Sequence, residues 1–334
     1  MSYIRILIIT LVFVLGMAAL AFGADEFRPV VIYQGEINKN DYNLNIHEGV
    51  EEFSKATGLA VKEIVVGLQM KDYLDALEEV CAKGYSPVVL IYADHLKDLN
   101  LYVREYSSIR FLALGKLIDE PNLFSFDFAE HEGSFLAGAL AAMNSKSKIV
   151  GFVSISDMPL MRRFACGYEQ GAKYIDPDIN VLTGFVGRYP GVWFDGPAAA
   201  KVADKLMNQG ADVVFQAAGG AGPAVLEVVA KRGKLGIGVD RNQNGLYPGH
   251  VLSSMFKRMD RVIYAALVHS RRGIWRDNVK SFGVAQNAVG LSFDENNAPL
   301  ITDEMRKKIE ELKNKIAIGK IQVHDFVLDN KCSW

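Results

Sequence analysis

The stretch DVVFQAAGGAGPAVLEVVAKRGKLGIGVD, residues 212–240, decides the fold, because it has the pattern of strand, glycine turn, helix and strand. Its two apolar runs, VVF and LGIGV, are continuous and do not alternate with polar residues. Continuous runs are typical of parallel strands that are covered by helices on both faces. A similar unit begins at VVIYQG, residues 30–35, and the pattern recurs along the chain. We therefore predict an α/β protein with mostly parallel sheets and right-handed crossovers.

The length of the chain predicts two lobes. One hydrophobic core stops growing near about 250–300 residues, and this chain has 334. A single sheet that used every predicted strand would need about ten strands, which is near the upper limit for open sheets. We predict a first lobe from residues 27–127 and 255–286, and a second lobe from 128–254 and 287–334.

The first 23 residues have the pattern of a secretory signal peptide. Arg5 precedes an uncharged apolar stretch, and the small residues Ala21 and Gly23 suit a cleavage site before Ala24. An uncleaved anchor helix is the alternative, since the stretch is just long enough to span a membrane. We expect cleavage and a periplasmic protein without a membrane span. Because no cysteine lies near the cleavage site, we expect no lipid anchor.

The composition argues against several classes of function. The formal charge is −2 and no block of lysine or arginine occurs, so we expect no nucleic-acid partner. The six histidines lack metal-ligand spacing, so we expect no metal. Three cysteines are an odd number, which rules out a full disulfide framework. We expect Cys81 and Cys166 to be buried small side chains.

The glycine turn at residues 218–222 raises the question of a bound cofactor. A dinucleotide fingerprint requires a third glycine where Val225 stands, and the Gly-Lys-Ser/Thr of a phosphate loop is missing, so we predict no cofactor. Two interpretations remain for Gly219 and Gly220. In the first, these glycines form only a tight turn between strand and helix. In the second, their backbone N–H groups donate hydrogen bonds to a ligand at a helix N-terminus. We favour the second.

Other strand ends supply side chains suited to a flat, polar ligand, because ligands of open parallel sheets bind beyond the carboxyl ends of strands. Tyr42 and Trp193 lie in different predicted lobes, so a closing cleft could hold a ring between them, and such stacking contributes about 1–3 kcal/mol per base. Asp240 could accept hydrogen bonds from vicinal hydroxyls. Asn43 and Lys257 could bind the polar edge. The alternative roles are ordinary packing for the two aromatic residues, turn capping for Asp240 and a surface ion pair for Lys257.

The sequence contains no catalytic set. The GxSxG motif is missing, and no histidine is placed beside Ser154 or Ser156. We therefore predict a protein that is not an enzyme. An exported enzyme is the alternative from another class.

Seven blocks of the chain, in the right order, resemble the basic membrane protein family of ABC-transporter substrate-binding proteins, whose best-understood members are purine nucleoside receptors. The resemblance implies a type I periplasmic-binding-protein fold: two Rossmann-like lobes, three crossovers and a ligand in the cleft. The blocks are NKNDYNLNIHEG (38–49), FAEHEGSFLAGALAAM (128–143), MPLMRRFACGYEQGAKYIDPD (158–178), NQGADVVFQAAGGAGPAVLE (208–227), GIGVDRNQ (236–243), LSSMFKRMDRVIYAAL (252–267) and GKIQV (319–323).

The resemblance also implies roles for individual residues. Tyr42 stands where the family has a phenylalanine that stacks on the base, and Asp240 matches the aspartate that holds the ribose. The loop before residue 196 is longer than is usual in the family, so Phe194 or Tyr189 could replace Trp193 as the opposing aromatic. The full set of implied ligand-binding residues is Tyr42, Asn43, Asp94, Trp193, Phe194, Gly219, Gly220, Asp240 and Lys257.

The sequence therefore predicts a monomeric, extracytoplasmic receptor of an ABC importer. We expect it to bind a purine nucleoside or related heterocycle between the lobes and to deliver it to an ABC permease. A receptor of the same fold for a sugar or a free nucleobase, serving transport or sensing, is the main alternative. An exported enzyme that acts on nucleosides is the alternative from another class.

Overall fold

The computed structural model describes most of the chain after residue 26. The predicted signal peptide, residues 1–23, lies outside the described residues, and so does Asp94. Within the described part, no helix is both long enough and apolar enough to cross a lipid bilayer. The described residues are 27–91, 93, 96, 98–115, 117–274 and 279–332.

Two six-stranded sheets form the centre of the described structure. All neighbouring strands are parallel except the pair at one edge of the second sheet, which is antiparallel. In spatial order, the first sheet contains β11 (Val279–Phe282), β5 (Leu123–Phe128), β4 (Phe111–Leu114), β3 (Val88–Leu90), β1 (Val30–Gln34) and β2 (Lys62–Val66). The second contains β12 (Val289–Leu291), β10 (Val251–Lys257), β9 (Leu235–Asp240), β8 (Val213–Ala217), β6 (Ile149–Ser154) and β7 (Asn180–Phe185).

Helices pack against both sheets, and large apolar side chains such as Phe53, Phe152 and Phe215 are fully buried between the layers. This layering confirms the predicted α/β class. The helices within the described residues are α1 (Asp41–Thr57), α2 (Met70–Ala82), α3 (Leu99–Glu105), α4 (Glu130–Asn144), α5 (Pro159–Ile175), α6 (Gly196–Asn208), α7 (Gly222–Lys231), α8 (Met259–Arg271), α9 (Asp303–Ala317) and α10 (Phe326–Asp329).

The described chain passes between the two sheets three times, as the type I fold requires. It crosses from β5 through α4 to β6, from β10 through α8 to β11, and from β11 to β12. The predicted change of lobe at residue 255 falls inside β10, and all of β10 lies in the second sheet.

The structure corrects the expectation for Cys166. Its side chain is buried as predicted, but it forms a disulfide with Cys332, 166 residues further along the chain. Cys81 is buried and is not in a disulfide, and burial raises the pKa of its thiol to about 11. The sequence spacing gave no sign of the disulfide, because the tertiary fold brings its two cysteines together.

Helices α4 and α5 cross at glycines that let their backbones touch. A Cβ atom added to Gly138 would lie 1.9 Å from the carbonyl oxygen of Tyr168, and one added to Gly171 would lie 1.8 Å from that of Phe135. These distances leave no room for any side chain at either position. The crossing holds α5 against the second sheet, with its N-terminal turns beside the cleft described below.

We expect Gly138→Ala to destabilise the protein by at least about 2 kcal/mol, because the added methyl group meets rigid backbone. Helix propensity alone predicts the opposite, a gain of about 1 kcal/mol. Urea denaturation measures the difference. Gly133→Ala in the same helix is the control, since its added Cβ would meet the side chains of Met255 and Val289 rather than backbone. Equal losses in the two variants would contradict the proposed close crossing.

Candidate functional site

The first wall of the site is the segment between β1 and α1. The side chain of Asn40 caps α1 by accepting a hydrogen bond from the backbone N–H of Tyr42 at 2.9 Å. The Tyr42 hydroxyl donates to the backbone oxygen of Ile91, just beyond β3, at 2.7 Å. These two bonds fix the Tyr42 ring at the carboxyl edge of the first sheet.

The opposite wall is the segment before α6. Trp193 and Phe194 lie in a short 3₁₀ turn, and Asp195 caps α6 by accepting from the N–H of Ala198 at 3.0 Å. A Cβ at Gly219 would lie 2.9 Å from the Trp193 ring. Gly219 also has a φ of +54°, which favours glycine. The glycine turn therefore gives the indole room to lie against the second sheet.

Phe194 makes contacts with both sheets. A Cβ at Gly35, which follows β1, would lie 2.8 Å from the Phe194 ring, and so would one at Gly220, which follows β8. Tyr189, the third candidate aromatic, is 42% exposed, and its hydroxyl donates to Asp195 at 2.6 Å. Trp193 and Phe194 line the cavity between the sheets, whereas Tyr189 is not among its lining residues.

The cavity has a volume of about 120 Å³, which is room for several water molecules or a small ring. Six of the predicted residues lie together in its wall: Tyr42, Trp193, Phe194, Gly219, Asp240 and Lys257. The rest of the lining, which the sequence did not predict, is Gln34, Asn40, Leu68, Ile91, Leu160, Met161, Phe164, Gly191, Ala217 and Val239.

Two predicted residues are not part of this lining. The side-chain amide of Asn43 donates to the backbone oxygen of Gln34 at 3.0 Å, so it ties α1 to β1. Gly220 packs against Phe194 and the backbone oxygen of Lys39. Their ligand contacts stay predictions. Phe164 belongs to the missed residues, although its helix, α5, follows the carboxyl end of β6, where the strand-end rule places ligands.

Asp240 ends β9 with its backbone in the left-handed region, at a φ of +66°. Its carboxyl group is buried at the cavity wall, and burial raises its pKa to about 6. The positive charge of Lys257 opposes this rise, while the negative charges of Asp41 and Glu130 add to it. The carboxyl group is therefore poised to change its charge near neutral pH.

Lys257 ends the neighbouring strand β10 and forms a buried ion pair. Its Nζ donates to Oε1 of Glu130 at 2.8 Å and lies 5.6 Å from the ring centre of Tyr42 and 5.8 Å from that of Phe164. Burial disfavours the charge of Lys257, but the carboxylates of Glu130 and Asp240 outweigh it and raise the pKa. Burial alone would raise the pKa of Glu130, but the positive charges of Lys257 and Arg163 outweigh burial and lower that pKa.

A second set of polar contacts bridges the two sheets near the cavity. Arg241, which follows β9, donates to Asp41 at 3.1 Å and to Glu48 at 2.6 Å, and both acceptors are on α1. Gln243 also donates to Asp41, at 2.6 Å. These bonds join the edge of the second sheet to a helix that follows the first sheet.

The arrangement is suited to binding a small molecule. Aromatic and aliphatic side chains form most of the cavity, and a few polar groups converge on it, as in ligand sites generally. No nucleophile is paired with a base among the lining residues. Among the residues that the structure describes, no group of three or more histidine, cysteine or carboxylate side chains could hold a metal ion.

Solved structures share this architecture. One of the ABC transporter system solute-binding proteins from Aeropyrum pernix K1 matches with a TM-score of 0.79 at 21% identity, covering 89% of this chain and 93% of that one. A solute-binding protein of an ABC transporter system from Conexibacter woesei DSM 14684 gives a TM-score of 0.70 at 17% identity, over 90% and 99%. Likeness at this identity shows the fold. Two sheets around a lined cleft thus place the chain in the class of two-lobed α/β folds that these solute-binding proteins share.

Sequence comparison defines the family within that class. The model of the family described as "ABC transporter substrate-binding protein PnrA-like" matches residues 28–326. Basic membrane protein A1 of Borrelia garinii subsp. bavariensis is 27% identical over 304 residues, which cover 88% of this chain and 87% of that protein. The chain belongs to this family of ABC transporter substrate-binding proteins, which confirms the family predicted from the seven sequence blocks. It is a family of binding proteins rather than of enzymes.

The raised pKa of Asp240 predicts a pH-dependent stability. Between about pH 4 and pH 6 the native state keeps a proton that the unfolded chain, with a carboxyl pKa of 3.8, has lost. The resulting stability is fully present below pH 4 and is lost as the pH rises through about 6. We expect wild-type protein to lose up to about 3 kcal/mol relative to Asp240→Asn between pH 4 and pH 7.

Urea denaturation of ligand-free protein at several pH values measures this difference. Asp157→Asn is the control, because Asp157 is exposed and its bond to Arg162 lowers its pKa. A lowered pKa means that ionised Asp157 stabilises the native state. As the pH rises, we therefore expect wild-type protein to keep or gain stability relative to Asp157→Asn. A difference between wild type and Asp240→Asn that is the same at every pH would contradict the assignment.

Proposed function

We propose that this protein captures a purine nucleoside, or a related heterocycle, outside the cytoplasm and presents it to an ABC permease. One observation carries the proposal. Aromatic rings and polar groups converge on one cavity, because Tyr42, Trp193 and Phe194 line the same space as Asp240 and Lys257. Substrate-binding proteins of ABC importers act outside the cytoplasm. The periplasmic location, the removal of the leader, the missing lipid anchor and the monomeric state stay predictions.

The aromatic side chains come from both sides of the cleft, which favours a flat ligand. Tyr42 follows β1 of the first sheet, and Trp193 follows β7 of the second. A planar base held between two aromatic rings buries its apolar faces against both of them, and stacking contributes about 1–3 kcal/mol per base. Closure of the lobes completes such a site, and the closed surface is what a permease recognises.

The charges of the cavity favour an uncharged ligand over a nucleotide. Lys257 is the basic residue among the lining residues named above, and its ammonium group is already paired with Glu130. Among the described lining residues, no cation other than Lys257 is present to offset the charge of a phosphate group beside the carboxyl group of Asp240. The ionised form of Asp240 can instead accept hydrogen bonds from the vicinal hydroxyls of a ribose.

Two other functions lead to different results in simple experiments. Sugars also stack on aromatic rings, so a sugar or nucleobase receptor shares most of this chemistry. Titration calorimetry of refolded, ligand-free protein with guanosine, adenine and ribose separates these ligands, and mass spectrometry identifies any molecule that co-purifies. An enzyme would release base from inosine. Tight binding of ribose alone, or catalytic release of base, would overturn the proposal.

We expect Tyr42→Ala and Trp193→Ala each to weaken guanosine binding by about 5- to 150-fold, because each removes one stacking face. Calorimetry measures the affinities. Tyr189→Ala is the matched control, since this aromatic lies in the same segment as Trp193 but outside the cavity lining. We expect it to bind as wild type does. Loss of affinity in the control, with none in Trp193→Ala, would reverse the assignment of the aromatic wall.

A further inference from the structure

The end of the described chain lies along one face of α5. We call residues 321–332 the C-terminal strap. Its anchors on α5 are Arg163, Cys166 and Gln170, and their spacing of i, i+3 and i+7 puts them on one stripe of the helix. Cys166 is bonded to Cys332. The amide of Gln170 donates to the backbone oxygen of His324 at 2.9 Å and accepts from its N–H at 2.8 Å.

Arg163 and Asp325 form the third anchor. Nε of Arg163 donates to Oδ1 of Asp325 at 2.8 Å and Nη2 donates to Oδ2 at 2.7 Å, which is the two-bond geometry that arginine makes with carboxylates. Oδ1 of Asp325 also caps α10 by accepting from the N–H of Val327 at 3.0 Å. The side chain of Arg163 is 9% exposed and that of Asp325 is 13% exposed, so water screens this pair little.

The remaining nitrogen of Arg163 points toward the cleft. Nη1 donates to Oε2 of Glu130 at 3.0 Å, to the backbone oxygen of Phe128 at 2.9 Å and to Asp127 at 3.1 Å. The other carboxylate oxygen of Glu130 accepts from Lys257. Glu130 therefore joins two cations, and a continuous line of ion pairs runs from Asp325 to the cavity wall.

Arg163 and Lys257 share the carboxylate of Glu130, each through a different oxygen. With Asp325 present, two nitrogens of Arg163 are turned toward the strap, and Glu130 keeps one oxygen for Lys257. When Asp325 carries no charge, the carboxylates that remain beside Arg163 are those of Glu130 and Asp127. The attraction between Arg163 and Glu130 then becomes stronger. The ammonium group of Lys257 then loses part of what fixes it beside the ligand.

We propose that Asp325 is a positioning residue for the ligand site, because it holds Arg163 so that Glu130 can fix Lys257 at the cavity wall. The C-terminal strap thus acts on a cavity that it does not line. The inference rests on the proposed function in one respect, namely that Lys257 contacts the ligand.

Asp325→Asn tests the inference, since the amide keeps the oxygen that caps α10 and loses the charge. We expect guanosine affinity, measured by calorimetry, to fall by about three- to tenfold. Asp329→Asn on the same helix is the control, because its carboxylate contacts His324 and Lys331 at the surface. It is expected to bind as wild type does.

A double-mutant cycle separates positioning from a general structural effect. On a Lys257→Met background, Asp325→Asn should cost no further affinity. An equal loss on both backgrounds would overturn the positioning role and leave the proposed function intact. Unchanged affinity in Lys257→Met alone would instead overturn the contact between Lys257 and the ligand.

The same cycle in urea denaturation needs no ligand. The two substitutions should be non-additive although Asp325 and Lys257 do not touch, because Arg163 and Glu130 connect them. Additive losses would refute the line of ion pairs whatever the ligand is. If Lys257→Met does not fold, Lys257→Gln, which loses the charge but keeps a hydrogen-bond donor for Glu130, replaces it in the cycle.

Discussion

The buried ion pair between Lys257 and Glu130 ties together two segments where the chain leaves one sheet for the other. Lys257 is the last residue of β10, and Glu130 is the first residue of α4. Burying two charges costs free energy, which only good geometry and further partners offset. Here Arg163 holds the second oxygen of Glu130, and aromatic rings surround the ammonium group. The pair therefore fixes both crossovers and brings a charged group to the cavity without leaving that charge unpaired.

The cavity itself follows from what lies at the carboxyl ends of the strands. Parallel strands of both sheets end at the cleft, so the segments after β1, β7, β8, β9 and β10 meet there. Glycines at two of these ends leave space for a ring, because a Cβ atom at Gly35 or at Gly220 would lie only 2.8 Å from the ring of Phe194. A larger residue at either position would force the ring, and with it one wall, out of place. The wall is thus set by small residues as much as by large ones.

Much of this could be predicted from the sequence, and the rest depends on contacts between distant residues. Continuous apolar runs predicted the sheets, and the strand-end rule predicted the placement of Tyr42, Asp240 and Lys257 together. The bonds of Arg163 to Asp325 and of Cys166 to Cys332 join residues more than 160 positions apart, and no local pattern marks them. The strands β11 and β12 have only four and three residues, too few to show a periodicity.

The contacts of Arg241 with α1 lie where dissolved salt can reach them. They join an edge of one sheet to a helix of the other, and the guanidinium side chain is 30% exposed. Dissolved ions reach such charges and weaken their attraction, since screening at an ionic strength of about 0.15 M already acts over about 8 Å. The attraction between Arg241 and the two carboxylates of α1 therefore weakens as the salt concentration rises, and with it this link between the two sheets.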